Sequence, residues 1–203
     1  MGVTKRETNE TSISVELLPE GTGVSGAIEQ AASGKKPIDT GNRFLDHMLT
    51  AFARYSGLGL RVTARGDLPH HLIEDVAITL GRAFRDIVPA GAARYGNRVI
   101  PMDDALVQVS VDIGGRPFYE GPLPSGLYDH WMRSFSNEAK ATIHVVVLRG
   151  RDRHHVVEAA FKALGLALRD ALVDTGDTVS TKGAVALSVE RTLEEPAVAA
   201  ERR

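Results

Sequence analysis

The sequence predicts an α+β protein made by tandem duplication, with two mixed sheets of about four strands, each backed by two helices that pack between the sheets. Three observations predict it. First, His70-His71-Leu72-Ile73-Glu74 returns as His154-His155-Val156-Val157-Glu158. Second, shifting the segment 60–88 by 84 residues without gaps superposes 11 of 29 positions on identical residues. These are Val62, Arg65, Gly66, His70, His71, Glu74, Leu80, Gly81, Ala83, Arg85 and Asp86, several times the number expected by chance. Third, the apolar periodicity runs strand, strand, helix, strand, helix in each half. The halves span 4–95 and 96–190 and together form one compact domain, and the charged, Ala-rich tail 191–203 is expected to be loose.

The first strand alternates Ile13, Val15 and Leu17 with Ser12, Ser14 and Glu16. Pro19-Glu20-Gly21-Thr22-Gly23 turns the chain into a second strand through Ile28, and a polar loop, Ser33 to Pro37, leads to Thr40-Gly41. Phe44, Leu45, Met48, Leu49 and Phe52 then recur at helical spacing on a helix that carries Asp46-His47. Leu58 to Arg65 is a strand, Gly66-Asp67-Leu68-Pro69 a turn, and Ile73, Ala77, Leu80, Phe84 and Ile87 the stripe of a helix opened by the first doublet. In the second half, a loop through Arg94-Tyr95-Gly96 precedes a strand with Val107, Val109, Val111 and Ile113. A turn at Gly114-Gly115-Arg116-Pro117 leads to a short strand at Phe118 and a helix around Asp129 to Phe135. A strand from Ala141 to Leu148 precedes the last helix, striped by Val157, Phe161, Leu164, Leu168 and Leu172. A loop ending in Ser180-Thr181-Lys182-Gly183 and an apolar piece, Ala184 to Val189, follow.

Composition narrows the function. The net charge of −2 gives no reason to expect nucleic acid or an anionic membrane as a partner. The absence of Cys excludes disulfides, thiolate zinc sites and cysteine nucleophiles. No apolar run is long enough to span a membrane, and the polar start is unlike a signal peptide, so a cytoplasmic protein is expected.

Four of the seven histidines lie in the two doublets. On a helix, residues four apart share a face and adjacent residues diverge by about 100°. The first His and the Glu of each doublet can therefore chelate one ion while the second His points toward another. Imidazole with carboxylate support suits Zn, Mn, Fe, Co or Ni rather than Ca or Mg. One His-His pair would ordinarily be a solvated surface feature, but its retention in both copies favours metal. Each copy offers too few ligands for a closed shell, so the halves are expected to complete each other's sites. Among the remaining histidines, His47 beside Asp46 would ordinarily be a capped or supporting residue, and His144, in an apolar strand, a satisfied core residue. His130 follows Asp129 as His47 follows Asp46, at an offset of 83, and could be its counterpart. Arg94, Arg116 and Lys182 stand beside Gly or Ser/Thr turns that can hold an anion, although each alone reads as a surface charge.

The chain resembles the imidazoleglycerol-phosphate dehydratase family of histidine biosynthesis. The resemblance rests on an ordered set of stretches from residue 6 to about 185: Arg6 to Thr11, Phe44 to Leu49, His70 to Asp75, Arg94 to Gly96, Pro101 to Asp103, Gly115 to Pro117, Ile143-His144, His154 to Ala159, and Ser180 to Gly183. It implies a fold of the ribosomal protein S5 domain 2-like kind and two manganese ions per active site. By matching positions, one ion takes His47, His70, Glu74 and His155, and the other His71, His144, His154 and Glu158. It also implies catalytic roles for Glu10 and Glu158, and substrate or phosphate contacts from Glu10, Arg94, Arg116, Ser180, Thr181 and Lys182. The implied substrate is a phosphorylated imidazole, and the implied assembly a shell of twenty-four subunits with metal sites at subunit contacts. In the implied reaction the substrate imidazole bridges the ions, the C2 proton is removed, the C3 hydroxyl is lost, and the resulting enol ketonises to imidazole acetol phosphate.

Several residues depart from the family pattern. Tyr55 stands for a usual His, Asp104 for a Glu, Gly114 for a Ser and Asp152 for an Asn, and the stretch before His70 is short and lacks the usual Asp. Two other functions compete. A dinuclear metallohydrolase of phosphate esters would need a bridging carboxylate and oxygen-rich ligands. A non-enzymatic metal-binding shell protein would leave Glu10 and the Ser180-Thr181-Lys182 stretch idle.

Overall fold

The duplication is visible in the order of elements. A computed structural model describes residues 2–18 and 36–177. The first half contains β1 (Val3–Glu7), β2 (Thr11–Leu18), β3 (Ile38–Asp39), α1 (Arg43–Ser56), β4 (Gly59–Gly66) and α2 (Pro69–Arg85). The second repeats it with β5 (Tyr95–Met102), β6 (Ala105–Asp112), β7 (Phe118–Glu120), α3 (Gly126–Ala139), β8 (Thr142–Arg149) and α4 (Arg153–Ala171). The sheets have matching orders, β1-β2-β4-β3 and β5-β6-β8-β7. In each, the short third strand runs parallel to its neighbour and the other pairs are antiparallel. The parallel pair needs a crossover, and α1 or α3 supplies it.

Each half has one strand more than the apolar pattern announces. β1 has no buried residue and β5 is exposed at most positions, so neither shows an apolar alternation. They are edge strands defined by backbone pairing: β5 runs against β6 from Tyr95↔Asp112 to Met102↔Ala105. β3 is two residues long and lies where the sequence shows only a polar loop. The expected strand through Ile28, the Ser180 to Gly183 loop, the Ala184 to Val189 piece and the tail lie outside the described residues.

Both sheets turn their apolar faces inward, with Ile13, Val15, Val62 and Ala64 on one and Val107, Val109, Val111 and Ile143 on the other. Between them the helices pair across the repeat boundary, α1 against α4 and α2 against α3. Aromatic rings from all four helices meet at the centre. Trp131 stacks on Phe135 at 5.3 Å and lies 4.6 Å from Phe161, while Phe52 and Phe84 meet the ring of Phe135 edge-on or tilted. The duplicated glycines mark where the pairs approach most closely. A Cβ on Gly81 would stand 2.7 Å from the Phe135 carbonyl oxygen on α3, and one on Gly165 2.9 Å from the Ser56 nitrogen on α1. This cross-pairing carries the first turn of each helix toward a helix of the other half.

Candidate metal centre

In both halves an Asp-His dipeptide opens the crossover helix, and its Asp turns back into its own half. Asp46 Oδ1 accepts hydrogen bonds from the Thr40 backbone amide (2.9 Å) and hydroxyl (2.6 Å), and Asp129 Oδ1 accepts them from Tyr119 (2.6 Å) and the Leu123 amide (2.9 Å). The adjacent His is thereby aimed at the helix of the other half. The doublet helices also begin on their ligands. Pro69 opens α2, and Asp152 caps α4 by accepting from the His154 amide at 2.8 Å.

Three histidine-carboxylate groups result, two built across the halves and a third, of Glu10, Asp67 and His71, within the first half. In the first, His47 Nε2 and His154 Nε2 lie 3.2 and 3.1 Å from Glu158 Oε2. In the second, His70 Nε2 lies 3.5 Å from Glu74 Oε2, and His130 Nε2 lies 3.1 Å from Glu74 Oε1. Within each cluster the donor atoms all lie within 4.8 Å of one another. His130 Nε2 is shielded from solvent and makes no hydrogen bond, because its short approach to Glu74 is badly angled. A solvent-shielded imidazole nitrogen 3.1 Å from a carboxylate oxygen and without a hydrogen bond is a geometry that a bound cation would satisfy.

Within one chain His47 lies with His154 and Glu158, and His130 with His70 and Glu74, whereas the ligand sets implied by the resemblance draw on subunits in contact. His144 is exposed on the outer face of the second sheet, its ring tilted 5.5 Å from that of Phe118, so it is neither in a cluster nor in the core. The offset of 83 had marked His130 as a possible counterpart of His47, and the two occupy matching positions on α1 and α3.

The second His of each doublet diverges as helix geometry requires. The rings of His70 and His71 stand at 79° to each other and those of His154 and His155 at 87°. His71 Nδ1 meets Asp67 Oδ1 at 2.8 Å, with Glu10 Oε2 at 3.5 Å. His155 Nδ1 meets Asp104 Oδ1 at 2.7 Å, and its Nε2 lies 3.3 Å from Asp103. Hydrogen bonding to these carboxylates raises both imidazole pKa values and lowers those of Asp67 and Asp104. Asp67 lies four residues before His71, in the turn that leads into α2.

Two features had no signal in the spacing alone. Lys162 Nζ lies 2.7 Å from Glu158 Oε1 and over the ring of Tyr55 at 5.7 Å, so Tyr55 stands behind the cation that holds a cluster carboxylate. Burial pushes the Glu158 pKa up, but Lys162 and His47 outweigh it and hold it below its usual value. The Glu10 turn is tied to α2 through Asp75: Thr8 Oγ1 accepts from the Glu10 and Thr11 amides, Thr11 donates its hydroxyl to Asp75, and Arg6 Nε donates to Asp75 at 2.8 Å.

Of the anion candidates, Arg94 and Arg116 converge on Asp112. Arg94 meets both carboxylate oxygens, at 2.6 and 2.9 Å, and the largely exposed Arg116 lies 3.6 Å away. Gly114 makes room for this, since a Cβ there would stand 2.4 Å from Arg94 Nε. Ser180, Thr181 and Lys182 lie outside the described residues.

The sequence profile of the imidazoleglycerol-phosphate dehydratase family matches residues 40–168, well over half of the chain. The chain belongs to this family. The dehydratase of Pyrobaculum calidifontis is 46% identical over 195 residues, covering 88% of this chain and 97% of that protein. The corresponding protein of Pyrococcus furiosus is 44% identical over 189 residues, covering 88% and 98%. The crystal structure of the Pyrococcus furiosus dehydratase superposes with a TM-score of 0.76 at 42% identity, covering 89% of this chain and 99% of that one. That of the Staphylococcus aureus dehydratase superposes with a TM-score of 0.68 at 31% identity, covering 86% and 100%. Within the family match lie His47, His130, both doublets, Lys162 and Tyr55. Among the described residues no helix is long and apolar enough to cross a membrane.

Proposed function

We propose that the protein is a metal-dependent imidazoleglycerol-phosphate dehydratase, a hydro-lyase that removes water from the substrate to give imidazole acetol phosphate. The observation that carries this reading is the pair of histidine-carboxylate clusters, each built from one helix of either half, in a chain of this family. His47, His154 and Glu158 would hold one divalent ion and His70, Glu74 and His130 the other. The donor set of imidazoles and one carboxylate suits manganese, the ion that the resemblance implies, two per active site. When bound, such ions would supply Lewis acidity to the substrate imidazole.

The chain's own residues divide the remaining work. Glu10, held on its turn by Thr8, Thr11 and Asp75, takes the proton from C2 of the substrate. The C3 hydroxyl leaves as water, and the enol that remains takes a proton at C3 to become the ketone. Glu158, paired with Lys162 at 2.7 Å and His47 at 3.2 Å, serves as a ligand, and its second role is the catalytic one that the resemblance implies. Arg116 and Arg94, with Ser180, Thr181 and Lys182, hold the phosphate, and fixing that end aligns C2 with Glu10.

Each cluster has three protein ligands, while His71 and His155 face outward, so neighbouring subunits would bring the missing imidazoles. This favours a self-associated enzyme, for which we propose the twenty-four-subunit shell. A dinuclear hydrolase would need a carboxylate shared between the clusters, and among the described residues none is shared. The test is turnover of imidazoleglycerol phosphate with manganese added and with manganese chelated, beside metal content and solution mass. Product formed only with metal is expected, and bound metal without product would overturn the reading. His130→Ala is expected to lose metal and His144→Ala to keep it, and the reverse would overturn the ligand sets.

A further inference from the structure

We propose that Asp67 and Asp104 are positioning residues: each holds the outward imidazole of a doublet by its Nδ1 so that Nε2 is presented to an ion. The proposal rests on the metal-centre reading above and deepens it. His71 and His155 are related by the repeat, and each Nδ1 meets one carboxylate oxygen at nearly the same distance, 2.8 and 2.7 Å. The carboxylates, however, are not related by the repeat. Asp67 lies in the turn between β4 and α2, four residues before its histidine, whereas Asp104 lies in the hairpin between β5 and β6, 51 residues before. The repeat places Arg151 where Asp67 stands, 84 residues on, and Arg151 cannot accept. There Asp104 reaches in from the hairpin and accepts the Arg151 and Asp152 amides at 2.6 and 3.1 Å. Duplication alone would have copied the residue with its contact. In the first half the equivalent hairpin carries Glu10, 3.5 Å from His71 Nδ1, and the closer acceptor is Asp67, so each Nδ1 keeps a carboxylate at 2.8 or 2.7 Å although its source differs.

Imidazole chemistry gives a reason for that carboxylate. A neutral imidazole carries one N–H, and a carboxylate that accepts it at Nδ1 leaves the lone pair on Nε2. Without that acceptor the ring can rotate and exchange tautomers, and an ion meets a ligand that must first be ordered. Both histidines are half-buried in the first turn of their helices, with side chains 28% and 27% exposed. The carboxylates are then the groups that set their direction.

The experiment measures manganese affinity of the full-length protein by competition with a chelating dye. Asp67→Asn and Asp104→Asn are each expected to weaken binding of one manganese equivalent per chain by roughly 10- to 100-fold. Asp104→Glu, which keeps the carboxylate, should stay within about threefold, separating loss of charge from disturbance of the hairpin. In a His71→Ala background Asp67→Asn should add no further loss, and in His155→Ala neither should Asp104→Asn, because each carboxylate acts only through its imidazole. Affinity within twofold of the parent in both Asn variants, or an undiminished loss in the His→Ala backgrounds, would overturn the inference alone. A parent that binds no manganese, or binding that survives His154→Ala, would overturn the metal-centre reading and this inference with it.

Discussion

The two clusters are copies of one design in unlike surroundings. Glu158 is 8% exposed at its side chain and shares a 2.7 Å ion pair with Lys162, whereas Glu74 is 33% exposed and has Ile78 at the position equivalent to Lys162. A buried carboxylate needs a counter-charge, and Lys162 provides one that does not depend on a bound ion. Glu74 is more exposed, and Nε2 of its neighbour His130 makes no hydrogen bond. Duplication thus preserved the ligands, while their supports diverged. The first cluster is an ion-pair network as well as a candidate ligand set, and the second lacks such a counter-charge.

Substitutions that separate these roles test the contrast. Lys162→Met should have the largest effect, about 3 kcal/mol lost from the metal-free protein in denaturant unfolding, because it strands Glu158 without its cation. Glu74→Gln should cost under about 1 kcal/mol in the same measurement, since the carboxylate it neutralises is partly solvated. Equal losses would erase the distinction. Manganese at about 100 times its dissociation constant should add about 2.7 kcal/mol for each ion bound, removed again by chelation. His130→Ala should forfeit only the second cluster's share.

The helix pairs are where the halves should behave alike. Gly81→Ala and Gly165→Ala each drive a Cβ onto the facing helix backbone, at 2.7 and 2.9 Å, so both should lose about 2 kcal/mol in denaturant unfolding. A loss confined to one would show that the cross-paired helices are not equivalent. Gly114→Ser should displace the Arg94 guanidinium and raise KM for the phosphorylated substrate several-fold with little change in kcat.

A further expected effect is on pH. Arg94 holds the Asp112 carboxyl below the usual carboxylate range. A depressed folded pKa contributes stability above the ordinary value near ~4, and that stability is lost as pH falls through the folded value. Asp112→Asn should therefore cost about 1 kcal/mol at neutral pH and flatten the acid limb of the stability curve below about pH 4. An acid limb unchanged by the substitution would sink this attribution.

Most of the fold was legible because its signals are local. Ile13-Val15-Leu17 and Val107-Val109-Val111 alternate, α2 and α4 carry apolar stripes, and the ligands of each doublet lie four apart on one turn. β1 and β5 were not legible: an edge strand with solvent on its outer side needs no apolar alternation, and only its pairing defines it. At the site, the sequence by itself determined which residues could chelate and that each doublet would point two ways, because an α-helix fixes the angle between neighbours. Only the tertiary structure decided that His47 meets the second doublet and His130 the first, that Lys162 supports one carboxylate alone, and that Asp67 and Asp104 converge on equivalent imidazoles. These contacts join residues far apart in the chain, brought together by helices that cross-pair between two sheets, and no local period encodes which helix will face which.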